Sequence, residues 1–319
     1  MSRLLEVQGL RTHFFTKAGV VKAVDDVSFG VDRGRVLGLA GESGSGKSMT
    51  GYSILGLIDA PGRIVAGSIK LNGVELTTLG EKAWRDVRGN RVAMIFQDPM
   101  MTLNPVLRID TQMVEAVRAH HDVSREAALA RCREALVQVG IASPDERLQG
   151  YPHQFSGGMR QRVAIAIALV NKPDLIIADE PTTALDVTIQ GQILHEMQRL
   201  ARDSGTGLIW ITHDLSVIAG LADEVCVMYA GRIVEAGGVD EVLDSPMHPY
   251  TRGLLDSVPG HNTPGRPLSQ IRGMTPSLLK LGEACAFRER CVRAIDACRV
   301  APAVQLAGTR AVRCVNPLA

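Results

Sequence analysis

Gly41-Glu42-Ser43-Gly44-Ser45-Gly46-Lys47-Ser48 is a stretch whose residue types and spacing suit the chemistry of phosphate. Glycines at the fixed positions of G-x-x-x-x-G-K-S let backbone N–H groups curl around an anion. Lys47 can reach the β- and γ-phosphates, the Ser48 hydroxyl can ligate Mg²⁺, and a helix beginning near Met49 would add the positive end of its dipole. The ligand that this set suits is a nucleoside triphosphate.

Three further groups gain meaning beside that loop. Asp179-Glu180 closes the apolar run Leu175 to Ala178, which puts one carboxylate where it can hold the Mg²⁺ shell and a second where it can orient an attacking water. Alone, an acidic pair is more often merely solvated or salt-bridged. His213 follows another apolar run, Leu208 to Thr212, and a histidine in that setting is by default structural. Ser156-Gly157-Gly158 precedes the helical run Met159 to Val170 and presents a second set of backbone N–H groups to an anion.

The elements that must position these residues can be read from apolar patterning. Val36 to Ala40, Leu175 to Ala178 and Leu208 to Thr212 are continuous rather than alternating, as expected of parallel strands buried on both faces, and each delivers polar residues at its carboxyl end. Ligands bind at that edge of open α/β sheets. Leu4 to Gln8, Val27 to Val31 and a hairpin over Ser68 to Leu76, turning at Asn72-Gly73, predict an antiparallel β layer. A helical run over Met49 to Ile58, and Arg125 to Val139 with apolar residues at helical spacing, predict helices. The segment from about residue 100 to 170 reads as an inserted helical subdomain. The expected organisation is a nucleotide-binding domain over 1–256, a linker rich in Pro and Gly over 257–282, and a small cysteine-bearing tail over 283–319.

With 35 basic and 34 acidic residues among 319, the chain has no field strong enough to recruit nucleic acid or an anionic membrane. The longest uncharged apolar stretch, Val163 to Val170, is far short of the roughly 20 residues of a membrane-crossing helix, and Arg162 bounds it. The amino terminus lacks the order of a signal peptide, so a cytosolic chain is expected. Cys132 and Cys226 are isolated in a predicted helix and strand. Cys285, Cys291, Cys298 and Cys314 share the tail, with five, six and fifteen residues between them. Four thiolates suit tetrahedral Zn²⁺ or an iron-sulfur cluster, and this spacing leaves both open.

Taken in order, the phosphate loop, Gln97 after Met94-Ile95-Phe96, Phe155-Ser156-Gly157-Gly158-Met159, Asp179-Glu180, Ala184-Leu185-Asp186 and His213 resemble the ABC ATPases. The resemblance covers about Leu4 to Gly238. It implies an α/β fold with a RecA-like parallel-sheet core, an amino-terminal antiparallel β subdomain and an inserted helical subdomain. It also implies a head-to-tail dimer in which Ser156, Gly157, Gly158 and Met159 of one cassette cap ATP held by the other, with Asp186 at the seam. Glu180 is then the general base, Gln97 and His213 contact the reacting groups, Mg²⁺ is held through Ser48, Gln97 and Asp179, and Phe14, rather than Phe15, stacks on adenine. Phe155 and Met159 stand where the family at large favours Leu and Gln. The anion-binding geometry is backbone-driven and does not depend on either.

Ile95-Phe96-Gln97-Asp98-Pro99, Ser156 to Arg162 and His248-Pro249-Tyr250-Thr251 resemble the dipeptide, oligopeptide and nickel importer branch. Its cysteine tail implies a 4Fe-4S cluster at Cys285, Cys291, Cys298 and Cys314, with Zn²⁺ or unligated thiols as the alternatives. The partners implied are a homologous ATPase subunit, two transmembrane permeases and, indirectly, an extracytoplasmic binding protein, with the chain on the cytoplasmic face of the membrane. Uptake of short peptides is the expected function, with nickel or another small solute as the alternative. A soluble ABC ATPase would predict tandem cassettes, a coiled-coil insertion or a basic stripe, none of which is visible.

Overall fold

The computed structural model describes residues 3–182, 185, 187–258 and 269–318, with the side chain of Met101 also left aside. Ala184 and Asp186 of the expected seam and the first part of the expected linker, Pro259 to Leu268, lie outside the described residues. In chain order the strands are β1 (Leu5–Thr16), β2 (Gly19–Val31), β3 (Val36–Ala40), β4 (Gly62–Leu71), β5 (Val74–Glu75), β6 (Val92–Ile95), β7 (Leu175–Asp179), β8 (Gly207–Thr212), β9 (Glu224–Tyr229), β10 (Arg232–Gly238), β11 (Gln305–Ala307) and β12 (Arg310–Val312). The chain divides into two compact units.

The first unit comprises Met1–Val31, Val36–Thr78 and Trp210–Ala319. It contains the expected antiparallel layer, ordered β2-β1-β4-β5. β1 and β2 are much longer than their sequence patterns suggest, because alternation is reset inside them. The register of β1 against β2 shifts between Val7 and Leu10, where Gly9 takes a positive φ of 55°. The predicted hairpin is present: Leu71 faces Val74 across Asn72 and Gly73, at φ 50° and 79°. Two positive φ values in a two-residue turn match the right-handed twist of the flanking strands, which is why Asn-Gly serves there.

In the same unit β3 runs parallel to β9, and the order continues through β10 and β12 to β11. All five residues of β3 are buried, as the continuous apolar run requires. The cysteine tail adds β12 as an antiparallel neighbour of β10, with Glu235 opposite Val312. A segment of this length has too little surface to bury for a core of its own. It borrows one: Phe287, Cys298, Val312 and Cys314 are buried, and the Phe287 ring sits 5.2 Å from that of Tyr229 and 5.4 Å from that of Tyr250.

The second unit comprises Asp32–Arg35 and Leu79–Ile209. Parallel β6 and β7 carry the apolar run Leu175 to Ala178. The helical segment contains Ile109–Arg118, Arg125–Gln138 and Gly157–Leu169. Their shared core includes Met113, Val117, Ala128, Cys132, Leu136, Val163 and Ala166. Cys132 is a small hydrophobe in that core, its thiol pushed up to about 11 by burial. Among the described residues no helix is long and apolar enough to cross a membrane.

Glu235 is fully buried on β10 and accepts from the backbone N–H groups of Met247 and His248, at 2.7 and 2.9 Å, and from the Arg310 guanidinium. Removing one partner of a buried ion pair costs about 3 to 5 kcal/mol, more than the pair itself is worth. Arg310→Met is therefore expected to destabilise the first unit by about 3 kcal/mol in urea unfolding, and adding Glu235→Gln should recover part of that loss. An Arg310→Met protein as stable as the parent would show that the two backbone donors alone satisfy the carboxylate.

Candidate phosphate site

In the first unit the loop Gly41–Ser48 leaves the buried end of β3 and enters the helix Lys47–Ile54. The expected helix over Met49 to Ile58 is shorter than predicted, because Leu55 caps it and Gly56 turns left-handed at φ 61°. The loop is curled around the Lys47 ammonium, which donates to the carbonyls of Gly41 at 2.7 Å and Glu42 at 2.9 Å. Lys47 and Ser45 are buried, while Ser43 and Gly44 form an exposed tip. Two glycines are required by close approach as well as by conformation. At φ 148° a Cβ on Gly41 would lie 2.3 Å from the Met228 carbonyl oxygen; at φ 105° one on Gly46 would lie 2.4 Å from that of Ala23.

Glu42 occupies a position at which the motif itself demands no particular residue, yet every polar group it has is held. Its N–H donates to the Tyr250 hydroxyl at 2.8 Å. Its carbonyl accepts from Lys47, and its carboxylate accepts both terminal nitrogens of Arg290, at 2.6 and 2.9 Å, and the Thr275 hydroxyl at 3.3 Å. The carboxylate raises the Arg290 pKa through these hydrogen bonds. Sequence reasoning missed Tyr250 and Arg290 as partners of the loop. Tyr250 carried a signal, as part of the conspicuous His248 to Thr251; Arg290 carried none.

Phe14 lies on β1 with its ring against Gly62, where a Cβ would come within 2.5 Å of it. Phe15 is 40% exposed and carries the Arg63 guanidinium over its ring at 4.3 Å. His213 is exposed at the end of β8, before the helix Leu215–Leu221 that Asp214 caps by accepting from the Ser216 N–H at 2.8 Å.

In the second unit β7 ends at buried Asp179, and Glu180 follows in a left-handed conformation, φ 45°. A non-glycine residue there costs about 1 kcal/mol or more, and such positions cluster at functional sites. Gln97 is brought to it: its side-chain amide donates to Glu180 Oε2 at 3.4 Å. Ser156 caps the helix Gly157–Leu169 by accepting from the Met159 N–H at 3.3 Å, leaving Ser156 and Gly157 exposed. Phe155 anchors the approach to this helix in the core. Buried Arg162 ties it to Gln192 at 2.8 Å and Glu196 at 3.2 Å on the helix Val187–Ser204.

The tail cysteines lie close enough to influence one another. Burial pushes up the thiol pKa of Cys285, Cys291 and Cys314, and the charge of neighbouring tail thiols pushes each further. The Cys285 N–H donates to the Cys298 carbonyl at 3.0 Å. Among the described residues no group of three or more His, Cys, Asp or Glu side chains stands in the arrangement of a metal site.

The family model for ABC transporters matches residues 24–183, and that for the C-terminal region of oligopeptide/dipeptide transporters matches 234–298. The chain is 48% identical over 299 residues to the oligopeptide transport ATP-binding protein AppD of Bacillus subtilis, covering 93% of this chain and 91% of that one. It is 45% identical over 316 residues to OppD of Salmonella typhimurium, also an oligopeptide transport ATP-binding protein, covering 99% and 94%. Among solved structures, the dimeric ATP-binding cassette MJ0796 with ADP and Pi superposes with a TM-score of 0.67 at 24% identity, covering 74% of this chain and 98% of that one.

The matched C-terminal region includes the cap that presents Tyr250. His248 Nδ1 accepts from the Tyr250 N–H at 3.0 Å, which requires that nitrogen to be unprotonated, and burial holds the His248 pKa down to about 4. An unfolded histidine titrates near 6.5, so between these values the unfolded chain takes up a proton that the folded one refuses. This contribution is complete above about pH 6.5 and is lost as the pH falls toward 4, on the order of 3 kcal/mol in all. His248→Asn keeps a capping acceptor and should flatten the acid side of the stability profile, read as urea midpoints over this window. An identical slope in parent and variant would remove His248 as its source.

Proposed function

The chain belongs to the ABC transporter family, and we propose that it is the ATP-hydrolysing motor subunit of an importer of oligopeptides or dipeptides. The observation that carries the chemistry is the Gln97–Glu180 contact at the end of a buried strand, with Glu180 held left-handed. A carboxylate fixed by its backbone and steadied by an amide is suited to orient a water and accept its proton. ATP is held by Gly41 to Ser48 and the start of the following helix at Met49. The Lys47 ammonium and the loop N–H groups neutralise the phosphates, and Phe14 stacks on adenine.

Mg²⁺, when bound, would supply positive charge to offset that of the triphosphate. By the family resemblance the Ser48 hydroxyl, the Asp179 carboxylate and the Gln97 amide oxygen would hold it, all of them hard oxygen donors. So small a protein set is ordinary for Mg²⁺, which keeps waters and phosphate oxygens as its other ligands. His213 steadies the γ-phosphate. Ser156, Gly157, Gly158 and Met159 act on the ATP of a partner cassette, with Asp186 at the seam. Chemically the capped helix start supports this, since its exposed N–H groups suit an anion supplied from outside.

The remaining parts of the reading are a homologous ATPase partner, two permeases that hold the chain at the cytoplasmic face of the membrane, and a binding protein that delivers substrate. Cys285, Cys291, Cys298 and Cys314 are read as ligands of a 4Fe-4S cluster. Thiolates are the soft donors that such a cluster takes, as does Zn²⁺ in its place, although among the described residues the four do not stand in the arrangement of a metal site. Binding would draw protons from thiols that burial now keeps protonated.

Glu180→Gln is expected to lower single-turnover hydrolysis by about 100-fold or more while retaining ATP, since such a group contributes roughly 3 to 4 kcal/mol to the barrier. Hydrolysis at the parent rate would remove Glu180 as base. Purified anaerobically, the chain should contain iron and acid-labile sulfide and lose both on Cys291→Ser; zinc without sulfide would decide for the alternative. ATP turnover of the complex solubilised with its membrane partners should rise with binding protein and short peptides. Stimulation by Ni²⁺ alone would move the reading to metal uptake.

A further inference from the structure

The phosphate loop is held from outside by the carboxy-terminal segment, and the grip falls on Glu42. A carboxylate in a loop built to receive an anion works against binding unless its charge is countered and directed elsewhere. Arg290 does both. Its two terminal nitrogens take the two carboxylate oxygens in a fork, at 2.6 and 2.9 Å, while its Nε donates to the Arg272 carbonyl at 2.9 Å. The Arg290 side chain is 6% exposed against 27% for that of Glu42, and Tyr229 and Phe287 wall its guanidinium, with ring centroids 5.8 and 6.0 Å from the central carbon. A fork of this kind fixes direction as well as charge. With Tyr250 on the N–H and Lys47 on the carbonyl, Glu42 is fixed on three sides, two of them by residues of the carboxy-terminal segment.

We propose that Arg290 is a positioning residue of the ATPase, which acts through Glu42 to set the shape and charge of the phosphate loop from the cysteine-bearing tail. The inference rests on the reading of Gly41 to Ser48 as the triphosphate cradle. It requires the loop to be impaired chiefly by the stranded carboxylate when Arg290 is lost, so that removing the carboxylate as well should restore it. A merely structural Arg290, needed only to fold the tail, predicts no such restoration.

The test titrates the full chain with a fluorescent ATP analogue and Mg²⁺ and measures steady-state hydrolysis on the same preparations. Arg290→Met should weaken nucleotide binding about tenfold, and raise KM more than it lowers kcat, as loss of one charge-assisted pair at a binding loop does. Glu42→Gln should be milder, and Arg290→Met with Glu42→Gln should regain most of the lost affinity. Arg290→Lys keeps the charge without the fork and should fall between parent and Arg290→Met. If Arg290→Met does not fold, the comparison of Arg290→Lys with and without Glu42→Gln carries the same test. Affinity equal to the parent in the Arg290 variants, or no recovery in the double variants, overturns the inference. Lys47→Ala separates the two levels: it should abolish nucleotide binding, and if it does not, the cradle reading itself has failed.

Discussion

A buried ammonium has to be surrounded by oxygen, and in this protein that requirement shapes the phosphate loop. Lys47 satisfies itself on the carbonyls of Gly41 and Glu42, and the chain between them can close on the ammonium only by passing through backbone angles that side chains resist. The same tight course brings the loop against the carbonyls of Met228 and Ala23, leaving no room for a Cβ at Gly41 or Gly46. The walls of the loop are therefore main chain, and what they offer a ligand is N–H groups that need no rotamer to be frozen. A site built this way fixes phosphate geometry at low entropic cost.

The second constraint is that the tail cannot stand alone. Its apolar residues, Phe287 above all, complete a cluster with Tyr229 and Tyr250 that neither part could bury separately. Polar ties follow the same interface: Arg310 on Glu235, Arg313 on Asp26 at 3.0 Å, and Arg290 on Glu42. Tyr250 shows how packing and polarity are combined. Its ring fills the cluster, its N–H is capped by His248, and burial raises the pKa of its hydroxyl, which keeps it protonated while it accepts from Glu42.

These features differ in how far they can be read from the sequence. The continuous runs at β3, β7 and β8 were legible because burial on both faces leaves no polar position to interrupt them, and the phosphate loop because its glycines are dictated by backbone geometry. The Asn72-Gly73 turn was legible for the same reason. The length of β1 and β2 was not, since the irregularity at Gly9 shifts which residues face inward and breaks the period-two pattern. Helix lengths failed where a glycine, Gly56, ends a run that composition alone would extend. The grip on Glu42 left no local trace, because its partners lie 208 and 248 residues away and are chosen by tertiary packing. Glu180 could be named from its place after a buried strand, but not its left-handed backbone. Arg162 reads in the sequence as an interruption of an apolar stretch and as the last residue of a motif, whereas in the fold it is the cation that fastens the helix Gly157–Leu169.

That last case separates two ways of positioning a functional group. Ser156 and Gly157 owe their presentation to a helix start that is anchored behind by Phe155 in the core and by Arg162 on Gln192 and Glu196, so their N–H groups are directed by packing remote from any ligand. The Gln97 amide is exposed and meets Glu180 through a single long contact, 3.4 Å, near the limit of a hydrogen bond. A group held so lightly can exchange its partner for a water at little cost, while one held by a buried guanidinium cannot. Under the proposed function, binding would fall to the first kind and chemistry to the second, the division of labour expected where a nucleotide must be gripped reproducibly and a reacting water admitted only when the other groups are in place.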